Sequence, residues 1–204
     1  MKRRHLLAHS ATGLAGMSGL HACRSQAQEP SISSLSSAEP VVQWQMATSW
    51  PKSLQILFDT VDLFCQQISR MTDGNFVITP YPAGELAGGL EVLSAVQNGT
   101  VACGHTASYY YLNQSNALAF GTTIPFGLNA AQQNAWLYFG GGLDAMQAIY
   151  ADVGVINFPG GNTGTQMGGW FKREVNTVKD FQGLHMRVPG LGGKILERLG
   201  ATIP

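Results

Sequence analysis

Three β-rich segments alternate with two helical segments near the start of the chain, and this order constrains the fold more than any other feature. Alternation with a period of two indicates a strand, whereas apolar residues three and four positions apart indicate a helix. Because strands joined through helices pair in parallel, we expect an α/β fold with a parallel sheet covered by helices. In chain order the segments are a strand at Val41–Thr48, a helix capped by Ser53 and reaching Ile68, a strand at Phe76–Thr79 that Pro80 stops, a helix at Leu90–Val96 and a strand at Val101–Thr106.

The rest of the sequence keeps this alternation less regularly. Asn129 is predicted to cap a helix that the glycines at 140–142 interrupt. The predicted helices are 129–139, 143–150 and 194–199. The predicted strands are a run within 116–126 that ends at Ile124-Pro125, the segments 153–158, 165–172 and 184–188, and the first half of another at 201–204.

The composition excludes several classes of partner. Twelve basic and twelve acidic side chains cancel, and charged residues make up only 12% of the chain. Without a basic stripe or a polybasic segment, neither nucleic acid nor an anionic membrane surface is an expected partner. Apolar residues account for 45% of the chain, which is enough for a buried core. These properties indicate a globular protein that handles a small molecule.

Residues 1–27 have the pattern of an export signal. Basic residues at positions 2–4 precede the weakly apolar stretch 6–20, which is too short to span a bilayer. The Arg3-Arg4 pair suggests the twin-arginine route, although the Sec route stays open. Cleavage is predicted either at a lipobox-like site, with a lipid anchor on Cys23, or after Ala27. Both place the mature protein outside the cytoplasmic membrane, and residues 28–40 then form a flexible tether.

Two cysteines follow the tether. Cys65 lies in a predicted helix and Cys103 in a predicted strand. In an oxidising compartment the two cysteines could form a disulfide. The alternative is that both are small, buried apolar side chains with free thiols.

Five sequence blocks stand out along the chain. They are Ala-Thr-Ser-Trp-Pro at 47–51, Gly-His-Thr-Ala at 104–107, Ile-Pro-Phe-Gly at 124–127, Gly-Gly-Asn-Thr-Gly-Thr-Gln-Met-Gly-Gly-Trp-Phe at 160–171 and Gly-Leu-His-Met-Arg-Val-Pro-Gly-Leu-Gly-Gly at 183–193. With these blocks the chain resembles the substrate-binding proteins of tripartite ATP-independent periplasmic (TRAP) transporters, in the branch that binds 2-oxo acids and related monocarboxylates. The similarity extends from about residue 41 to residue 204, and the last two blocks are the most specific.

The resemblance implies two α/β lobes that close over a ligand in the cleft between them. Mapped onto this chain, the first lobe is 41–164 and the second begins at 165–204, where we expect it to be incomplete. The implied partners are a small carboxylate and the membrane subunits of a TRAP transporter, with a homodimer as an option for the full-length parent. The resemblance implies sodium or calcium beside the acid, and no organic cofactor.

Arg187 is the principal candidate for the ligand site. It is the only cation in an apolar strand, and its planar guanidinium fits a carboxylate through two parallel hydrogen bonds. The residues alone leave two alternatives open, a structural ion pair and an exposed strand edge. The resemblance implies the ligand role, because the matching Arg holds the substrate carboxylate.

Gln166 and Asn162 are the polar candidates that precede Arg187. From the sequence alone Gln166 is an ordinary polar edge residue, with an amide that offers two donors and one acceptor. The resemblance implies that Gln166 contacts the ligand and is a metal ligand. Asn162, four positions earlier in the same block, is a weaker substrate-binding candidate.

The remaining candidates are aromatic. Trp50, Tyr110 and Tyr111 follow predicted strands, and open α/β sheets place ligands at the carboxyl ends of their strands. Aromatic walls exclude water and so strengthen an Arg–carboxylate contact. Ordinary packing is the alternative for each, and Trp170 is expected in the core.

We expect no catalytic residues. Cys103 and His105 lie two apart and share a strand face, but no acidic partner or ligand cluster completes a catalytic or metal site. The run at 190–194 lacks the first Gly and the Ser or Thr of a phosphate-binding loop. The alternative function is an exported enzyme that acts on small organic acids through Cys103 and His105.

Overall fold

The structure is a computed structural model that describes residues 42–122 and 124–204. The predicted export signal, the cleavage sites near Cys23 and Ala27, and the tether lie outside the described residues. In the described part of the chain, no helix combines the length and the apolar character that a membrane crossing requires. The lobe boundary between residues 164 and 165 stays a prediction.

A three-stranded parallel sheet forms the first part of the fold. Strand β1 (Val42–Thr48) lies in the centre, between β2 (Phe76–Tyr81) and β3 (Cys103–His105). In the register, Val42 of β1 is opposite Phe76 of β2, and Thr48 is opposite His105 of β3. The predicted parallel sheet is confirmed.

One helix packs on each face of the sheet. Met46 and Ala47 are consecutive in β1 and therefore point to opposite faces. Met46 packs in one cluster with Val61 and Cys65 of helix α1 (Gln55–Met71). Ala47 packs with Val92 of helix α2 (Val92–Gln97) in a second cluster. The two helices bury the half of β1 that ends at Thr48, which fixes the loops that follow it.

Two predicted element ends were wrong. Helix α1 is preceded by Leu54 rather than by a Ser53 cap, and no side chain caps it. Strand β2 continues through Pro80, which pairs with Met46. Among the described strands β2 has a neighbour only on the β1 side, and an edge strand tolerates a residue that has no N–H.

The strand predicted at 116–126 was also wrong, because Asn116–Gly121 forms a 3₁₀-helix. The Ser115 side chain accepts a hydrogen bond from the Ala117 N–H and starts this turn, while Leu118 and Ala119 are buried. Another 3₁₀-helix, Ser108–Tyr111, follows β3 after the two residues Thr106 and Ala107.

Two predicted helices follow and are confirmed. Helix α3 (Ala130–Phe139) begins with a capping box formed by Asn129 and Gln132. Helix α4 (Gly142–Ala151) follows Gly141, whose φ of 77° is a left-handed conformation that favours glycine. The two helices pack with the 3₁₀-helices around a third apolar cluster, which contains Leu118 and Met146.

The strands predicted at 153–158 and 165–172 are not formed. The Gln97 amide donates to the Val153 carbonyl at 2.9 Å, and the Gln147 amide donates to the Asn157 carbonyl at 3.0 Å. These carbonyls therefore bond to side chains rather than to a neighbouring strand. Trp170 is 88% exposed, so its expected place in the core was wrong.

The last part of the described chain begins a second strand–helix–strand unit. A 3₁₀-helix at Val178–Phe181 precedes helix α5 (Gly190–Arg198), which starts four residues earlier than predicted. The strands predicted at 184–188 and 201–204 are reduced to a single parallel bridge between His185 and Thr202.

Candidate functional site

The candidate site lies at the carboxyl ends of β1 and β3. The Ser49 N–H donates to the His105 carbonyl at 3.0 Å, so the two strand ends stay paired as they leave the sheet. The Thr48 hydroxyl donates to the Tyr81 carbonyl at 2.9 Å and holds the end of β2 against them. This edge is where parallel α/β sheets bind ligands.

Trp50 is the first candidate along this edge. Its side chain is only 9% exposed and packs in the cluster of Met46 and Val61. The indole N–H donates to Nδ1 of His105 at 2.7 Å. Because this donor is occupied, Trp50 offers a ligand its ring surface and no hydrogen bond.

His105 bonds through both ring nitrogens. Nδ1 accepts from Trp50, so the proton of the neutral ring belongs on Nε2, which donates to the Gly160 carbonyl at 3.1 Å. Burial lowers the pKa of His105, and the Gly160 hydrogen bond opposes that effect only partly. A ring held neutral in this way has no free nitrogen with which to serve as a general base.

The two candidate tyrosines, Tyr110 and Tyr111, occupy different environments. Tyr111 is 3% exposed, and its hydroxyl accepts from the Leu93 N–H at 3.2 Å and bonds the Thr106 hydroxyl at 2.7 Å. Tyr110 is half-buried, with its ring centroid 6.3 Å from that of Trp50. Tyr110 can therefore face a ligand beside Trp50, and we call these two rings the aromatic wall. Tyr111 supports this wall from within the core.

Tyr109 links this aromatic wall to the segment that carries Arg187. Its ring lies 4.6 Å from that of Tyr110, and it packs so closely on Gly190 that a Cβ there would lie 2.6 Å from Cδ2. Burial raises the pKa of Tyr109, and the charge of Arg187 opposes the rise. The run of three tyrosines gave no basis for choosing Tyr109, because its contact with Gly190 exists only in the folded chain.

Arg187 itself is exposed. Within residues 42–122 and 124–204, no carboxylate lies within 4.0 Å of its guanidinium. Of the two structural alternatives for Arg187, the ion pair is therefore absent from the described part of the chain. The other alternative, an exposed residue at the edge of a strand, stays open, and the ligand role of Arg187 stays a prediction that its planar set of donors suits.

Gln166 and Asn162 lie in the exposed segment between α4 and the 3₁₀-helix at 178–181. The Gln166 amide N–H donates to the Thr163 hydroxyl at 2.7 Å, and Asn162 Oδ1 accepts from the Gly164 N–H at 2.7 Å. Both side chains make local contacts, and in the described structure no hydrogen bond joins either of them to Arg187.

The donor set on this segment fits part of a cation site. The Gln166 Nε2 donates to Thr163, and the other end of the same amide, the carbonyl Oε1, is a hard oxygen of the kind that sodium and calcium prefer. The described residues contain no group of three or more His, Cys, Asp or Glu arranged to hold a metal. Gln166 therefore fits as one ligand of an ion that needs further oxygens.

Both described cysteines have free thiols. Cys65 is buried and Cys103 is half-buried, and burial raises the pKa of each to about 11. The prediction of two unpaired thiols is confirmed, although Cys103 is less buried than expected. A thiol with so high a pKa stays protonated near neutral pH and is a poor nucleophile.

The environment of His105 predicts a pH dependence of stability. Its pKa lies below the ordinary value of 6.5 because of burial, and no charged side chain in the described part of the chain contributes to the shift. Below pH 6.5 the unfolded chain binds the proton more readily, so stability present above this pH is lost as pH falls through the lowered pKa. We expect the free energy of unfolding, measured with urea, to be lower at pH 5.5 than at pH 7.5. We expect this decrease to be smaller in His105→Gln than in the unmodified protein. Equal losses would rule out His105 as the cause.

Comparison with known proteins places this site in context. The sequence profile of a family described as bacterial extracellular solute-binding protein, family 7, matches residues 46–204. A curated relative from Nostoc sp. (strain PCC 7120) is 54% identical over 203 residues and is named a monocarboxylate 2-oxoacid-binding periplasmic protein. The alignment covers 100% of this chain and 54% of the relative, so the chain spans about half the relative's length.

Two solved structures are similar to the chain. A TRAP transporter solute-binding protein from Bordetella bronchiseptica is 43% identical with a TM-score of 0.79, and its crystal is a mixed-occupancy dimer with calcium and picolinate in the occupied site. One from Pseudoalteromonas atlantica, with bound sodium and pyruvate, is 40% identical with a TM-score of 0.76. The matches cover 81% and 80% of this chain, and 49% and 50% of those chains.

Proposed function

The chain belongs to the bacterial extracellular solute-binding protein family 7, and we propose that its full-length protein captures a small monocarboxylate for a TRAP-type secondary transporter. The proposed ligand is a 2-oxo acid such as pyruvate, or a related monocarboxylate. The observation that carries this proposal is the exposed Arg187 guanidinium, which forms no ion pair among the described residues, within a chain 54% identical to a 2-oxoacid-binding relative.

Arg187 supplies the charge that recognises the ligand. Its guanidinium donates two parallel N–H groups to the two oxygens of the carboxylate, an arrangement stronger and more directional than a single neutral hydrogen bond. Arg187 follows the bridge residue His185 and precedes α5, so ordered backbone flanks it on both sides. This support fixes the backbone position from which the Arg187 side chain extends.

The aromatic wall supplies the apolar side of the site. Trp50 and Tyr110 present ring surfaces, and Tyr109 connects them to the Arg187 segment. Excluding water from this side lowers the local dielectric constant and strengthens the Arg–carboxylate attraction. Tyr111 acts from behind this wall through Thr106.

Gln166 is the proposed contact of both the ligand and a cation. Its Oε1 offers an oxygen ligand to sodium or calcium, and Asn162 orders the same segment through its bond to the Gly164 N–H. The cation would supply positive charge beside the acid that complements Arg187. The proposal includes no organic cofactor.

Closure of two lobes around the acid is the proposed signal to the membrane subunits. A ligand that binds the closed form better than the open form shifts the population toward closure. We place this event in the periplasm, as in the Nostoc relative, with the protein free or lipid-anchored at Cys23. A homodimer of the full-length protein is part of the proposal, in view of the dimeric Bordetella protein.

We infer that the protein binds its acid without converting it. The Cys103 thiol has a pKa of about 11, and both ring nitrogens of His105 are engaged by Trp50 and Gly160. In the enzyme alternative, Cys103 is therefore a poor nucleophile, and His105 has no free nitrogen to serve as a base. Consumption of a 2-oxo acid by catalytic amounts of protein would favour the enzyme instead.

The test of the function is a calorimetric titration of the mature, full-length protein. The ligands are pyruvate and a short series of longer 2-oxo acids, each with sodium, with calcium and after removal of both. We expect one-to-one binding that weakens when the cation is withheld, because the ion and Arg187 share the charge of the acid. Absence of binding to every acid under all three conditions would contradict the proposed ligand class.

A further inference from the structure

We propose that His105 is a positioning residue of the ligand site, because one neutral imidazole holds the Trp50 indole on one side and the Gly160 backbone on the other. This inference rests on the proposed function. It adds that the aromatic wall and the segment carrying Gln166 have one common support. His105 touches neither the ligand nor the cation and acts only through the two groups that it holds.

The Trp50 contact fixes the orientation of one wall of the site. The indole donor and Nδ1 are 2.7 Å apart, and the two ring planes meet at 68° with centroids 5.9 Å apart. The hydrogen bond sets the rotation of the indole, whose other side faces Tyr110. Without an acceptor at this position the buried N–H loses its partner, which penalises the present orientation.

The Gly160 contact fixes the segment that leads to the polar candidates. Nε2 lies 3.1 Å from the Gly160 carbonyl oxygen. Asn162 and Gln166 follow within six residues, in a stretch that forms neither helix nor strand. A chain without a ladder of backbone hydrogen bonds depends on individual side-chain contacts for its position, and His105 provides one that reaches back to β3.

The chemistry of imidazole suits this double contact. A neutral ring has one acceptor and one donor, and the acceptor is assigned to Nδ1 because the indole is only a donor. The remaining N–H then matches a carbonyl, which is only an acceptor. A protonated ring would place two donors against each other at Trp50, which agrees with the lowered pKa of His105.

Packing at Gly160 offers an independent test by substitution. A Cβ at Gly160 would lie 2.9 Å from His105 Nε2 and 3.0 Å from Cδ2, so a methyl group there must displace the ring or the segment. Gly168 is a matched control, because a Cβ at that position meets nothing within 4 Å and its φ does not require glycine. We expect Gly160→Ala to weaken 2-oxo acid binding by about tenfold, and Gly168→Ala to leave it unchanged.

Three substitutions of His105 separate the two contacts. Asn keeps an acceptor near the position of Nδ1, Gln keeps a donor near the position of Nε2, and Phe keeps the ring shape with neither. We expect affinity for the acid to decrease most in His105→Phe, with His105→Asn and His105→Gln in between. Equal affinity in the Phe variant and the unmodified protein would overturn the proposal.

Nitrogen-15 NMR of the unmodified, ligand-free protein tests the contact without any variant. We expect His105 to be the neutral tautomer protonated at Nε2. The Trp50 indole resonance, identified by its loss in Trp50→Phe, should shift in His105→Phe and be retained in His105→Asn. A ring protonated at Nδ1 would overturn the proposal even if every variant folds poorly. If the unmodified protein binds no acid, the proposed function fails, whereas this tautomer measurement still decides the contact.

Discussion

Arg187→Ala is expected to weaken the binding of 2-oxo acids by at least about 30-fold, while leaving the melting temperature nearly unchanged. Removing one partner of a hydrogen-bonded charge pair costs about 2–5 kcal/mol, which corresponds to roughly a 30-fold to several-thousand-fold loss of affinity. The stability should not change, because Arg187 is exposed and forms no ion pair among the described residues. Calorimetry for the affinity and a thermal melt for the stability test both parts of this expectation.

Two further variants show whether the charge or its geometry matters. Arg187→Lys keeps the charge but loses the planar fork, so its affinity should be intermediate. Arg198→Ala removes an exposed arginine from the last turn of α5 and should bind like the unmodified protein. Retained affinity in Arg187→Ala, or an equal loss in Arg198→Ala, would refute the carboxylate role of Arg187.

Leu118→Ala is expected to have the largest effect on stability. Leu118 is fully buried at the centre of the cluster formed by Tyr111, Leu137, Met146 and Tyr150. Truncation leaves a cavity in a close-packed core, at a cost of about 2–5 kcal/mol in the free energy of unfolding. The midpoint of urea unfolding should decrease accordingly. Because Tyr111 packs in the same cluster and bonds Thr106, a smaller loss of ligand affinity is also expected.

Leu90→Ala is the matched control for this substitution. The same side chain is 55% exposed at position 90, outside the three apolar clusters. We expect its unfolding midpoint to stay close to that of the unmodified protein. Equal losses in the two variants would contradict the assignment of Leu118 to the core of the fold.

Local pattern was sufficient for the elements that form within a short segment. The cap at Asn129 and the amphipathic spacing of α1 are local signals, and both helices formed, although α1 begins without the predicted Ser53 cap. Strands depend on a partner, since the hydrogen bonds of a sheet join each strand to a neighbouring chain segment. The apolar run at 153–158 has strand composition, yet its carbonyls bond to Gln97 and Gln147 from helices elsewhere in the chain.

The candidate site divides in the same way. Arg187 was singled out at the sequence level by the resemblance, because the residues alone left a structural ion pair and an exposed strand edge open, and its ligand role stays a prediction. The different environments of the three consecutive tyrosines could not be predicted from the sequence. They depend on Gly190 packing against Tyr109 and on the hydrogen bond between Thr106 and Tyr111. The same holds for His105, whose two partners lie 55 positions away on either side.

The sequence by itself determined the α/β class, the parallel sheet, the family and the residue types that suit a carboxylate. It did so because hydrophobic period, turn residues and the charge of a side chain are properties of short segments. Only the tertiary structure decided which tyrosine of the run at 109–111 is buried, that Cys65 and Cys103 are unpaired, and which nitrogen of His105 carries the proton. Those properties follow from contacts between residues distant in the chain, and no local pattern encodes the distance between two such atoms.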